Sequence, residues 1–306
     1  MDTKQIEYIL KIAEENNITK AAEKLFITQS ALNQQLLKLE KELGTPLFHR
    51  SRTNWRLTEA GEIYIEGAKA ALQIKNTTYN RIYDVVSARK GHLTIGLTPG
   101  RGLRMFTAIY PELHRSFPNL DVRPIEMRVR AQQDAIAKGE IDVGLMTLAR
   151  RDQTSDTYYP LKQEELVLII PAGHPLAAKA APSGEPLTTL DLTELRYEPF
   201  VLMDKTSTLR SSCDLLFEKA GFAPNILFET NNTSGIAAMV QSTLCCGIIP
   251  RYYTLGLTEG VACFSLPERP SWEIVISCQK NAYLNSGARE FIRLAREYWE
   301  NSAPLF

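Results

Sequence analysis

Five polar side chains between positions 29 and 38 fall at helical spacing: Gln29, Ser30, Asn33, Gln34 and Lys38. Amides and hydroxyls both donate and accept hydrogen bonds. Carried on one helix face they can address base edges in a major groove, with Lys38 placed for a phosphate. Thr28 stands just before them, and its hydroxyl can satisfy a free N–H of the helix's first turn. Arg50, Arg52 and Arg56 follow closely, with Trp55 among them. A hairpin over this stretch brings three guanidinium groups to the flank of the same groove, where phosphate contact explains them better than solubility does.

Short helices must position these groups. Ile6, Ile9, Leu10 and Ala13 recur at helical spacing and form one apolar face. Thr19 reads as the N-cap of a second helix whose buried side is Ala21, Ala22 and Leu25. The third helix, over 28–43, is expected to bury Ala31, Leu32, Leu36, Leu39 and Leu43. Gly44 suits the position just past its end, and Pro46 prevents continuation. A small bundle with a merely solvated polar face carries the same helix pattern; the arginines after it favour a winged helix-turn-helix.

The sequence Ala21-Ala22-x-x-Leu25, then Thr28-Gln29-Ser30-Ala31-Leu32, then Leu39-Glu40 through Glu42-Leu43-Gly44-x-Pro46-Leu47-Phe48-x-Arg50, then Leu57-Thr58-x-Ala60-Gly61, resembles the winged helix-turn-helix of LysR-type transcriptional regulators. Every element of that family's pattern is present. The family often has Ser-Arg after the Ala-Leu pair, where this chain has Asn33-Gln34. Loss of that arginine removes a charge-assisted contact and shifts the expected base preference toward adenine, which Asn and Gln read with two hydrogen bonds.

From Thr58 to about Arg89 there is no proline. Ile63, Gly67, Ala70 or Ala71, Ile74, Thr78, Ile82 and Val85 succeed each other at steps of three and four, one apolar seam along about 45 Å of helix. A helix laid on its own domain would account for part of such a seam; a second copy of the same helix accounts for all of it. The resemblance implies a linker helix that pairs antiparallel. Self-association as a homodimer through this helix, or as a homotetramer, is therefore expected, on an interrupted palindrome in double-stranded promoter DNA.

Beyond Lys90-Gly91, strand-like runs at 93–97, 122–127, 141–147, 165–170, 199–203, 225–229, 246–249, 261–266 and 272–279 alternate with helical runs near 103–117, 131–138, 209–220 and 234–242. That alternation predicts an α/β fold with mainly parallel sheets and a ligand site at the carboxyl ends of strands. The segments Leu93 to Thr98, Ile141-Asp142-Val143-Gly144, Glu165-Leu166-Val167-Leu168 leading to His174-Pro175-Leu176, and Gly247-Ile248-Ile249-Pro250 resemble the LysR-type effector domain, which is similar to periplasmic solute-binding proteins. The resemblance implies two Rossmann-like subdomains, 92–162 with 268–306 and 163–267, flanking an effector cleft. The expected division is therefore 1–57 for DNA binding, 58–90 for the linker helix and 91–306 for the effector domain. By position after strands, Thr98, Gly100, Arg101, Thr147, Thr206, Ser207, Asn231 and Asn232 are the candidate cleft residues. Hydroxyls and helix N-termini favour a small organic anion, with Arg101 as a bidentate carboxylate contact; simple helix capping is the alternative for Thr98 and Ser207.

Net charge is zero, but residues 1–90 hold 14 Lys+Arg against 11 Asp+Glu, so the excess of +3 lies on the part that would face DNA. That modest excess suits site-specific rather than tight non-specific binding. Neither a membrane-length apolar run nor a signal peptide is read, and the expected compartment is the cytoplasm. No cofactor or metal is expected: Cys213, Cys245, Cys246, Cys263 and Cys278 lack metal-ligand spacing, and a cytosolic protein keeps such thiols reduced. Peroxide-sensing members of the family place a reactive cysteine before a Leu-Arg pair; here Thr208 precedes Leu209-Arg210, with Cys213 nearby. A ligand-independent or thiol-responsive regulator of the same fold is the alternative. His49, His92, His114 and His174 lie far apart, and no nucleophile elbow or phosphate loop is present, so no enzyme is expected. His174 reads as structural. A free solute-binding protein would not need residues 1–89.

Overall fold

The computed structural model describes the chain apart from residues 1, 52–54, 87–88, 183, 256, 258 and 303–306. It divides into two compact units, residues 1–91 with 138–140, and 92–137 with 141–306.

The first unit opens with α1 (Thr3–Glu15), α2 (Ile18–Lys24) and α3 (Gln29–Leu43). Asn17, rather than Thr19, caps α2: its side-chain oxygen accepts from the N–H groups of Thr19 and Lys20, which places Thr19 inside the helix. Thr28 caps α3 by accepting from Ala31 N–H at 3.1 Å, and Gly44 ends it in the left-handed region at φ 71°. The core joins Ile9, Ile12, Ala21, Ala22, Leu32, Leu36 and Leu39 with Leu47 and Phe48. Ala31 and Leu43, expected inside, are exposed, because the buried stripe of α3 is confined to Leu32, Leu36, Leu39 and Glu40. Strands β1 (Phe48–His49) and β2 (Arg56–Leu57) pair antiparallel and form the base of the wing.

α4 (Glu59–Val85) follows, capped by Thr58. Its first turn locks onto the wing. Thr58 donates its amide to Leu47 O and its hydroxyl to Pro46 O, and accepts from Gly61 N–H. A Cβ at position 61 would lie 2.1 Å from Leu47 O, so only glycine fits. Ile65 and Ala68 are buried, whereas Ile63, Ile74, Ile82 and Val85 are exposed; Ile74 is 70% exposed and Val85 85%. The seam read from the sequence is thus left uncovered in a single chain.

The second unit is built on a seven-stranded sheet. Its strands are β3 (Lys90–Leu97), β4 (Asn119–Glu126), β5 (Val143–Leu148), β6 (Thr157–Pro171), β9 (Gly247–Pro250), β10 (Val261–Ser265) and β11 (Ser271–Cys278). They run in the order β10-β6-β11-β5-β3-β4, with β9 also on β6. A separate parallel pair, β7 (Pro199–Met203) and β8 (Asn225–Thr230), completes the second half. Helices α5 (Arg101–Ser116), α6 (Val129–Ala137), α7 (Thr208–Lys219), α8 (Thr233–Gln241) and α9 (Ser286–Glu300) pack around these sheets.

The expectation of mainly parallel sheets holds for β3 with β5 and for β7 with β8 only in part of the fold. β11 is antiparallel to both β5 and β6, and β6 is antiparallel to β9 and β10. The cause is topological. The chain leaves the first half along β6 and returns along β11, so the two crossing strands must run in opposite senses. One half buries Leu93, Ile95, Leu97, Phe291 and Trp299 in its core; the other buries Leu166, Leu168, Phe200, Ile248 and Phe264.

Candidate functional site

The polar face of α3 stands clear of its own unit. Thr28, Gln29, Ser30, Gln34 and Lys38 are exposed and Asn33 is half-buried. Every donor and acceptor on these side chains except the Thr28 cap is open to an outside partner among the described residues. The arginines divide. Arg56 is exposed with no carboxylate partner among the described residues. Arg52 lies outside the described residues. Arg50 is already engaged within the unit: its guanidinium bonds to the buried Glu40 carboxylate and lies 5.5 Å from the centre of the Trp55 ring. The other oxygen of Glu40 accepts from Leu47 N–H at 2.8 Å, so Arg50 and Glu40 fasten the wing to α3.

The second unit holds a cavity of about 770 Å³ lined from both halves. All of the cleft residues read from the sequence reach it: Thr98, Gly100 and Arg101 after β3, Thr147 at the end of β5, Thr206 and Ser207 after β7, and Asn231 and Asn232 after β8. Three helices begin at its wall. α5 starts at Arg101 behind Gly100, α7 at Thr208 and α8 at Thr233. Their first-turn N–H groups and positive dipole ends favour negative charge there. Ser207 and Asn232 are helix caps, accepting from Leu209 N–H at 3.2 Å and Ser234 N–H at 3.0 Å. The Ser207 O–H and Asn232 NH₂ remain able to donate. The Thr98 hydroxyl is buried and has no hydrogen-bond partner among the described residues.

Arg101 has an internal partner that the sequence did not reveal. It is on the cavity wall, and two of its guanidinium nitrogens are paired with an internal carboxylate, while its buried Nε has no hydrogen-bond partner among the described residues. Nη1 and Nη2 lie 2.5 and 3.0 Å from the two oxygens of Glu164, and both side chains are almost wholly buried. Glu164 also accepts from Tyr252 N–H at 2.9 Å and Trp272 Nε1 at 2.7 Å, while the Tyr252 and Tyr253 rings pack against the guanidinium at 4.7 and 5.3 Å. Stripping a partner from such a buried charge costs about 3–5 kcal/mol, more than a ligand contact would return. Arg101 therefore lines the cavity as a side chain already paired with Glu164.

Two further cations that the sequence reading missed line the cavity. Arg104, one turn along α5, is exposed, lines the cavity and, among the described residues, bonds only the Tyr252 hydroxyl, at 3.3 Å. Arg128, just past β4, also lines the cavity and bonds Asp204 at 2.8 Å. The same rule that found Thr98 and Thr147, a position at the carboxyl end of a strand, would have found Arg128. Tyr252, Tyr253 and Trp272 add an aromatic wall for which no local signal existed.

The thiols are poor candidates for redox chemistry. Burial pushes Cys213 and Cys246 up to about 12 and Cys263 to about 11. Thr208 donates its hydroxyl to Thr147 O, and Arg210 is held by Asp214 and Glu229, so the Leu209-Arg210 pair is part of a structural network. His174 accepts from Leu176 N–H through Nδ1, as a capping residue. No group of His, Cys, Asp and Glu fit for a metal occurs among the described residues, and no helix there is long and apolar enough to cross a membrane.

A polar helix presented beside a wing, and a two-half α/β cavity on the same chain, define a ligand-responsive DNA-binding regulator. The chain belongs to the LysR family: residues 3–62 match the bacterial regulatory helix-turn-helix proteins of the lysR family, and residues 87–300 match the LysR substrate binding domain. These are transcriptional regulators, not enzymes. The uncharacterised HTH-type transcriptional regulator YcgK of Bacillus subtilis (strain 168) is 29% identical, with 97% of this chain and 94% of that protein covered. The Hca operon transcriptional activator HcaR of Escherichia coli (strain K12) is 26% identical, over 97% of this chain and 98% of that one. Among solved structures, full-length OxyR from Pseudomonas aeruginosa superposes with a TM-score of 0.69 at 22% identity, covering 98% of this chain and 95% of that one. Full-length CbnR complexed with its target DNA gives 0.67 at 20% identity, covering 97% and 99%. At these identities the structural likeness establishes the fold alone.

Proposed function

We propose that this regulator binds an interrupted palindromic promoter site as a homodimer, or as a homotetramer made of two such dimers, and responds to a small organic anion held in the cavity of its second unit. Residues 1–57 read the DNA, residues 58–90 dimerise, and residues 91–306 bind the effector between subdomains 92–162 with 268–306 and 163–267. The observation that carries the effector reading is the opening of three helix N-termini into one cavity whose wall also bears Arg104 and Arg128. Among the described residues no acidic side chain lines that cavity, although Glu164 and Asp204 pair with its Arg101 and Arg128. An anion there gains backbone N–H donors and the charge of Arg104, which has no carboxylate partner among the described residues, whereas a cation gains neither.

Gln29, Ser30, Asn33, Gln34 and Lys38 read the major groove, with Arg56 and Arg52 meeting flanking phosphates. Asn33 and Gln34 favour adenine. The uncovered α4 seam supports pairing with a second copy, which sets two recognition helices against two half-sites. Effector binding biases the relation of the two halves of the second unit, and the difference in affinity between the two arrangements supplies the energy of the switch.

Thermal unfolding against a panel of carboxylates, amino acids and aromatic acids tests the effector. A ligand at a hundred times its Kd adds about 2.7 kcal/mol. An anionic hit weakened by Arg104→Ala supports the reading; stabilisation only by neutral or cationic compounds rejects it. Operator footprinting tests the DNA half, with Asn33→Ala expected to flatten the base preference at the adenine positions.

A further inference from the structure

The two arginine–carboxylate pairs at the cavity are built in opposite ways. The Arg101–Glu164 pair is almost wholly buried and held through two guanidinium nitrogens. The other joins Arg128, on the first half just after β4, to Asp204 and Thr206, on the second half just after β7. Arg128 Nη1 lies 2.8 Å from Asp204 Oδ1 and also bonds the Thr206 hydroxyl. Thr206 donates both its amide, at 3.0 Å, and its hydroxyl to the same aspartate oxygen. The Arg128 side chain is 46% exposed, and its Nε and Nη2 make no hydrogen bond among the described residues. Arg128 and Thr206 both line the cavity.

A half-exposed ion pair held through one guanidinium nitrogen is weak and exchanges readily. An anion arriving from the cavity could instead take two parallel N–H donors, the stronger geometry. On the reading that the cavity binds an anionic effector, we propose that Arg128 is the cation that recognises it, and that Asp204 is a resident counter-ion standing in for the effector's acidic group until that group displaces it. The class of ligand follows: a carboxylate, sulfonate or phosphate able to engage a guanidinium side-on. The link between the halves changes with it, because Arg128 bonded to effector no longer holds Asp204 across the cavity. Burial acts to raise the Asp204 carboxyl, but the Thr206 hydroxyl and amide and the Arg128 guanidinium outweigh it and hold it below the ordinary value, so the stand-in is charged and competes as an anion.

The test needs no knowledge of the effector. Sulfate serves as the probe, compared with chloride at matched ionic strength, on thermal unfolding of the full chain. Asp204→Asn keeps the shape and an acceptor for the Thr206 turn while removing the charge. It is expected to gain a sulfate-specific rise in Tm of about 3–5 °C over the parent, as one site at roughly ten times its Kd gives a domain of this size. Asp204→Ala should gain similarly, and so serves if the asparagine variant folds poorly. The gain must vanish when Arg128→Met is added. Equal sulfate responses in the parent, the Asp204 variants and the doubles would overturn the proposal. So would a panel effector whose Kd is unchanged by Arg128→Met, an outcome that leaves the cavity reading itself intact.

Discussion

Glu164→Ala isolates the energetics of the cavity wall. The carboxylate is fully buried and accepts four hydrogen bonds, two from Arg101, one from Tyr252 N–H and one from Trp272 Nε1. Its removal strands a guanidinium whose side chain is 3% exposed, inside a cage of aromatic rings. An uncompensated buried charge of this kind costs about 3–5 kcal/mol. At roughly 3 °C per kcal/mol for a domain of about two hundred residues, the transition of the second unit should fall by about 9–15 °C. Differential scanning calorimetry of the full chain reads this directly. The double variant Arg101→Met with Glu164→Leu removes both charges and should recover most of the loss, since a buried pair is seldom better than apolar packing of similar volume. A Glu164→Ala loss under about 1 kcal/mol, the range of an exposed pair, would refute the argument, because Arg101 would then have water or another partner. A double variant as unstable as the single would refute it differently, by showing that shape rather than charge dominates.

Other outcomes are open to simpler measurements. Gly61→Ala places a methyl 2.1 Å from Leu47 O and should destabilise the first unit by about 1–3 kcal/mol, with loss of operator binding in gel shift at 37 °C. Ile74→Glu or Ile82→Glu, on exposed α4 positions, should leave circular dichroism unchanged yet shift sedimentation velocity toward monomer; an unshifted species would place the self-association elsewhere. Lys38→Ala should lower the slope of log affinity against log salt by about one and weaken all sequences alike. For pH dependence, Asp142 is informative: burial, the dominant cause, raises its carboxyl above the ordinary 3.8, against the opposing bond from Thr94 N–H. The folded state therefore binds this proton more tightly than the unfolded chain. The term favours folding in full below the unfolded pKa and is lost as pH rises through the raised value. Asp142→Asn should accordingly gain Tm relative to the parent as pH is raised from 4 to 8; a constant difference would reject the assignment.

What could be read from the sequence was local. Thr28 and Gly44 delimit α3 because capping depends on neighbours within four residues, and the cleft positions follow from strand ends. What escaped was tertiary. Arg101 and Glu164 are 63 residues apart and Arg128 and Asp204 are 76 apart, so nothing near either arginine says which carboxylate it will meet. The first half of β6 carries no clear strand signal, because Pro160 interrupts it and Tyr158, Tyr159, Leu161, Lys162 and Gln163 do not alternate apolar with polar; it pairs as a strand beside β11. α9, absent from the sequence reading, supplies Phe291 and Trp299 to the core and could have been found from its apolar spacing. Ala31 and Leu43 fit the apolar spacing of α3 yet lie outside its buried stripe, since the helix gives one narrow face to its neighbours and the rest to solvent.

The crossing strands have an evolutionary consequence. Glu165 on β6 and Ser271 on β11 are Cα partners, and Leu166 N–H donates to Pro270 O at 2.7 Å, so everything between leaves and re-enters the first half through a single doorway. The intervening hundred or so residues form a cassette with adjacent ends. Such a cassette can be exchanged between relatives by recombination at two nearby points, carrying Asp204, Thr206, Ser207 and Asn232 with it while Thr98, Arg104 and Arg128 stay behind. New ligand preferences can then arise by re-pairing two inherited walls, with the DNA-reading end of the chain untouched.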